Sequence, residues 1–112
     1  MTLHVLQTQF AGMVATLILK AAELGYEVTL GEAYRTPEQA AINAAKGSGI
    51  NHSLHTDRLA IDINLFKDGI YLTKTPDYQP LGEWWESVGG AWGGRFEKQD
   101  GNHFSLAYNG RK

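Results

Sequence analysis

The run Leu59-Ala60-Ile61-Asp62-Ile63-Asn64-Leu65-Phe66 alternates cleanly along its length. Leu59, Ile61, Ile63 and Leu65 face one way, and Ala60, Asp62 and Asn64 face the other, as successive residues of a strand must. The apolar face is expected to meet a core. The opposite face is small and polar, which suits a floor on which chemistry sits. Lys67-Asp68-Gly69 then reads as a hairpin turn into Ile70-Tyr71-Leu72.

Toward the N-terminus, Leu6, Phe10, Met13, Val14, Leu17, Ile18, Ala21 and Ala22 recur at three- and four-residue steps, the signature of an amphipathic helix. Gly25 is its natural stop. Tyr26-Glu27-Val28-Thr29-Leu30 alternates and is rich in β-formers, so it reads as a strand. Thr36-Pro37-Glu38-Gln39 is a helix start: Thr36 caps, Pro37 fits the first helical position, and Gln39 completes a capping box. That helix runs through Ala40, Ala41, Ala44 and Ala45 to Gly47, and residues 47–54 follow as a loop.

Toward the C-terminus, residues 76–80 read as a loop between prolines. Residues 81–88 read as a short helix with Trp84, Trp85 and Val88 apolar, ended by Gly89-Gly90. Residues 92–96 and 103–106 are expected strands around a loop. No repeat, low-complexity segment or internal linker interrupts the chain. The expected fold class is α+β, a small antiparallel sheet with helices packed against it.

A length of 112 residues fits one domain, with no separate binding domain expected. There is no cysteine. Disulfide frameworks, cysteine zinc sites, iron–sulfur clusters and thiol nucleophiles are therefore excluded. The formal net charge is −2. With only Lys74, Arg95, Lys98, Arg111 and Lys112 scattered late in the chain, no basic stripe supports nucleic-acid binding. The N-terminal segment lacks a basic start followed by a purely apolar block. Its longest clean stretch, residues 10–19, is short of the ~20 residues a membrane span needs. A cytoplasmic product without stable membrane insertion is expected, and an extracytoplasmic substrate would require release by other means.

The informative polar groupings are Ser53-x-His55-x6-Asp62 and Asp100-x-x-His103. Histidine and aspartate are good zinc donors. One continuous helix would separate His55 from Asp62 by roughly 10.5 Å along its axis, too far to share an ion. A loop folding back over a strand avoids this, with His103 as a third donor from a distant strand. Three protein donors leave one coordination position open, which is the catalytic pattern. Asp100, on the same short segment as His103, is placed to accept a proton and return it to a leaving amine. Arg35 can supply a fixed positive charge for a substrate carboxylate or a developing oxyanion.

Plainer readings exist for each residue. Asp100-Gly101-Asn102 also reads as a turn. Asp62 also reads as an ion-pair partner of Arg58 or Arg35, and Arg35 as a surface charge. His52 is the obvious competitor of His55, and His4 reads as a terminal surface residue. Trp84 and Trp85 read as core. Trp92 reads as core or, given its Gly-rich surroundings, as a surface that a ligand can approach.

The groups occur in a definite order: Tyr34-Arg35-Thr36-x-x-Gln39, then Ser53-x-His55-x4-Ala60-x-Asp62, then Trp92-Gly93-Gly94, then Asp100-x-x-His103-Phe104. In that order and spacing the chain resembles the VanY-like zinc peptidases of the Hedgehog/DD-peptidase fold, over residues 28–106. It is most similar to the phage L-alanyl-D-glutamate peptidases that serve as endolysins. The resemblance implies Zn2+ held by His55, Asp62 and His103, with Asp100 as catalytic acid/base. It implies substrate and transition-state contacts at Arg35 and Ser53, and Trp92 is the further substrate-binding candidate. Two positions depart from the family pattern. Arg58 stands where a glycine is common, three residues after the first histidine. Ser105 follows His103-Phe104, where an acidic residue is often found.

The implied function is zinc-dependent hydrolysis of the L-Ala–D-Glu bond of the peptidoglycan stem peptide by a monomer that reaches the wall after release from the cytoplasm. Two alternatives stand beside it. One is a D-Ala-D-Ala carboxypeptidase using the same zinc site, because bond choice lies in cleft shape rather than in metal donors. The other is a catalytically silent cell-wall-binding module.

Overall fold

The computed structural model describes residues 1–47 and 53–112. The expected loop after Gly47 and the competitor His52 lie, in whole or part, outside the described residues. The element order is α1 (Leu3–Glu23), β1 (Glu27–Leu30), α2 (Pro37–Ala45), β2 (Ala60–Lys67), β3 (Ile70–Leu72), α3 (Thr75–Ser87), β4 (Ala91–Trp92), a 3-10 turn (Gly93–Arg95) and β5 (His103–Ser105).

The alternating run is the central strand. β2 pairs antiparallel with β1 on one side, and with β5 and then β3 on the other. β4 closes the far edge against β5, giving the order β1-β2-β5-β4. The β2–β3 connection is the two-residue hairpin its sequence demands. Asp68 and Gly69 both take positive φ, at 52° and 77°, the pattern whose twist matches that of the flanking strands.

Leu59, Ile61, Ile63 and Leu65 lie in the core with Leu54, Tyr78, Leu81, Trp85, Trp92 and Phe104. Trp85 is the hub. Phe10 of α1 and Phe104 of β5 each meet it edge-on, with ring centroids 5.8 Å apart. Its indole N–H donates to the Ser105 carbonyl at 2.9 Å, so burial leaves no polar group unpaired. α1 is long and apolar enough to cross a membrane by length and composition. It nevertheless buries Phe10, Leu17 and Ala21 in this core, with Leu6, Met13 and Val14 packed beside them. Gly25, at φ 87°, ends it. Tyr26 N–H donates to Ala21 O and Gly25 N–H to Ala22 O, the paired bonds of a Schellman stop.

Three expectations are corrected. Residues 76–80 are not a loop; they are the first turns of α3, which carries Pro76 at its start and Pro80 inside it. A proline in the first turn removes an N–H that has no helical partner anyway. The turn is pinned by Tyr78, whose buried hydroxyl donates to Leu72 O at 2.7 Å and accepts from Leu65 N at 3.1 Å. Residues 92–96 are not a strand beyond Trp92, because the chain enters the 3-10 turn there. Thr36 caps α2 by accepting from Gln39 N at 3.0 Å, but the Gln39 side chain turns forward to Asn43 rather than completing the box.

Candidate functional site

Asp62 and His103 are brought together by the sheet itself. They are directly opposed across the β2–β5 ladder, so their side chains leave the same face. His55 comes from a compact turn. Ser53 Oγ accepts from His55 N at 3.2 Å, and Leu59 N donates to Leu54 O at 3.0 Å. Buried Leu54 and Leu59 anchor the two ends of that turn in the core. Closing it requires Arg58 to sit at φ 58°, a left-handed conformation that favours glycine. This is the position at which the resemblance implies a glycine. Here the guanidinium instead stacks on the Tyr34 ring, 4.0 Å from its centroid.

The three donor atoms all lie within 4.8 Å of one another. His55 Nε2 is 3.5 Å and His103 Nδ1 is 3.7 Å from Asp62 Oδ1. Tetrahedral zinc with bonds of 2.0–2.2 Å holds its donors about 3.4 Å apart. Asp62 Oδ1 is buried and has no hydrogen-bond partner among the described residues. Leaving such an atom unpaired is costly, and a shared cation would satisfy it. Donor chemistry, spacing and the orphaned oxygen all fit zinc. Burial alone would raise the Asp62 carboxyl, but the imidazoles of His103 and His55 facing it outweigh burial and hold it at about 2. The group is thus an anion ready to bind a cation at any ordinary pH.

Arg35 stands beside this cluster through Glu32. Its Nε and Nη2 donate to Glu32 Oε1 at 2.9 and 2.5 Å. The same oxygen lies 3.6 Å from His55 Nδ1. Asp62 N also donates to the Glu32 carbonyl at 3.0 Å. Glu32 therefore holds the guanidinium and lies behind His55, just beyond hydrogen-bond distance of an Nδ1 that has no other partner among the described residues; a carboxylate in that place can orient a metal-binding imidazole. Sequence reading passed over Glu32, although its position three residues before Arg35 was a signal.

Asp100 lies at the mouth of the segment that carries His103. His103 N donates to Asp100 O at 3.1 Å, and Asp100 N donates to Gly93 O at 2.9 Å. Gly93 is required for this closure, because a Cβ there would fall 2.1 Å from the Asp100 carbonyl. The residue is exposed, yet its carboxyl is crowded by protein. That burial, reinforced by the charge on Asp62, raises its pKa above the ordinary 3.8. A raised carboxyl close to an acidic donor is the profile of a proton carrier.

Two expected substrate contacts are largely buried. Trp92 is 3% exposed, with its indole N–H donating to Gly101 O at 2.7 Å. It braces the 93–101 loop from within, and its small accessible edge lines a cleft of about 310 Å³ beside Glu86, Arg95 and Phe96. Ser53 is also buried, with its hydroxyl engaged beneath His55.

Residues 46–106 match the family model described as D-alanyl-D-alanine carboxypeptidase. The chain belongs to that peptidase family. All three donor residues and Asp100 fall inside the matched segment, whereas Arg35 and Glu32 precede it. In structure the chain is similar to the Serratia marcescens L-Ala D-Glu endopeptidase ChiX, with a TM-score of 0.67 over 81% of this chain and 75% of that one. Identity to ChiX is 20%, so the likeness is one of fold. No curated protein matches the chain.

Proposed function

We propose that this family member is a zinc-dependent peptidoglycan peptidase that hydrolyses the L-Ala–D-Glu bond of the stem peptide. The observation that carries the reading is the His55–Asp62–His103 cluster, which leaves Asp62 Oδ1 buried and unpaired among the described residues. Zinc bound by these three residues supplies Lewis acidity at the scissile amide. Asp100 takes a proton from the attacking water as the new C–O bond forms, then delivers it to the amine nitrogen as the C–N bond breaks. The raised carboxyl supports this exchange. Arg35 anchors the free α-carboxylate of the D-glutamyl residue, and Glu32 keeps the guanidinium aimed. The fold shared with an L-Ala D-Glu endopeptidase supports this choice of bond.

A second reading, removal of a terminal D-alanine, is favoured by the description of the family model. Mass spectrometry of digested peptidoglycan separates the two. The proposed activity yields glycan ending in L-alanine and free peptides beginning at D-glutamate, abolished by a chelator and restored by zinc. Loss of terminal D-alanine alone would move the assignment to carboxypeptidase. No new product from a zinc-loaded sample would overturn both.

A further inference from the structure

The face of β2 that carries Asp62 does not end at the metal cluster. Asn64 and Phe66 follow on the same side at two-residue steps, about 7 and 13 Å along the strand. Each meets a partner on a neighbouring strand. Asn64 is opposed by Thr29 of β1, and Phe66 by Tyr71 of β3. Asn64 donates to Thr29 Oγ1 at 3.3 Å and accepts from the Tyr71 hydroxyl and from Asn102 Nδ2, each at 3.4 Å. These bonds are at the long end of the range, so a better-placed ligand group can compete for them. Phe66 and Tyr71 stack at 5.1 Å with a 29° tilt, and Tyr71 remains 50% exposed. A cleft of about 230 Å³ opens beside the stack, lined by Glu27, Val28, Thr29, Phe66 and Gly69.

Direction follows from the strand register. β1 runs from Glu27, opposite Phe66, to Leu30, opposite Ile63. Glu32 and Arg35 lie beyond that end. Asp62 N donates to the Glu32 carbonyl, so the guanidinium held by Glu32 lies at the Asp62 end of the face and the aromatic stack at the other. If Arg35 holds the D-glutamyl carboxylate on the leaving side, the stack faces the acyl side. On that side of L-alanine lie a lactyl linker and an N-acetylated sugar. The alanyl and lactyl units span about 7 Å when extended, which brings the sugar over the Asn64 rung and against Tyr71. A pyranose offers one apolar C–H face and a rim of hydroxyl and acetamide groups. The surface offers an aromatic face, two amides and the exposed Glu27 carboxylate, which disfavours an acidic peptide.

We infer that Asn64, Asn102 and Tyr71, with Phe66 behind them, form a subsite for the N-acetylated amino sugar to which the stem peptide is attached. This rests on the L-Ala–D-Glu reading. The test compares a muramyl pentapeptide with the same pentapeptide lacking the sugar, using zinc-loaded full chain and reading both kcat/KM and product masses. Wild type should prefer the sugar-bearing substrate by about tenfold or more, equivalent to at least 1.4 kcal/mol. The preference should fall toward one in Tyr71→Ala and decline in Asn64→Ala. L-Ala–D-Glu cleavage with no preference in wild type, or a preference kept in both variants, would overturn the subsite while leaving the peptidase reading intact. Release of D-alanine alone from both substrates would overturn the reading and the acyl-side assignment together. Protein NMR with the free disaccharide provides a check independent of turnover. Shifts confined to Thr29, Asn64, Asn102 and Tyr71 support the subsite, and their absence at saturating sugar contradicts it.

Discussion

The two faces of β2 differ in almost every respect. On one, Leu59, Ile61, Ile63 and Leu65 are at most 5% exposed and belong to the apolar core. On the other, Asp62, Asn64 and Phe66 are half-buried and carry the acid, amide and aromatic functions of the cleft. From Ile61 to Phe66 the odd-numbered residues thus serve the core and the even-numbered ones face the candidate site. Strand geometry makes this separation possible, since neighbouring side chains project in opposite directions and need share no partner. Loss of function without loss of fold, and the reverse, should therefore be obtainable one residue apart.

The largest separation is expected at the cleft. Asp100→Ala should keep zinc and the thermal midpoint of wild type but lose about 10²–10⁴-fold in kcat, the usual contribution of a positioned proton carrier. Steady-state kinetics with metal analysis checks this, and full activity in a zinc-loaded variant would remove the proposed base. On the other face, Ile63→Ala should cost about 2–5 kcal/mol of stability. Zinc bound per folded molecule should stay as in wild type; denaturant unfolding followed by metal assay measures both.

Glu32→Gln preserves shape and removes the charge behind His55. Zinc affinity should fall about 10–100-fold, as for other orienting carboxylates, in a chelator competition that does not depend on turnover. A pH series sharpens the same contrast in metal-free protein. Asp62 titrates at about 2 in the fold against an ordinary 3.8. Its folded pKa is depressed, so its contribution to stability is present above 3.8 and is lost as pH falls toward 2. Asp62→Asn should flatten that part of the denaturation-midpoint profile, and Ile63→Ala should shift the profile without changing its shape. The smallest effect belongs to Arg58→Gly. Relief of the left-handed backbone, about 1–2 kcal/mol, is offset by losing about 0.5–1 kcal/mol from the Tyr34 stack. A net gain of at most about 1.5 kcal/mol in unfolding free energy is expected.

Much of this was legible because the deciding signals are local. The alternation of 59–66, the Asp68-Gly69 turn, the Thr36 cap and the Gly25 stop each follow from residue chemistry within a few positions. The donor trio was legible through order and spacing, and the glycine expected at Arg58 was a true report of backbone demand. What escaped depends on packing between distant segments. Pro76 and Pro80 read as a loop because nothing nearby reveals that Tyr78 will be held by Leu65 and Leu72. Trp92 read as open to a ligand because its neighbours are glycines. Gly94 beside it and Gly82 on α3 make room for its indole: a Cβ at Gly82 would fall 2.1 Å from the ring and one at Gly94 2.3 Å. Glu32 escaped because it is brought behind His55 by a backbone bond from the distant Asp62 N to its carbonyl, beyond the end of β1.

The most direct measurement is calorimetric titration of metal-free protein with zinc, in wild type, His55→Ala and Ile63→Ala. One zinc per chain should bind to wild type and to folded Ile63→Ala, with high-affinity binding lost in His55→Ala. Absence of zinc binding in wild type, or undiminished binding in His55→Ala, would contradict the metal site and the division of labour across β2.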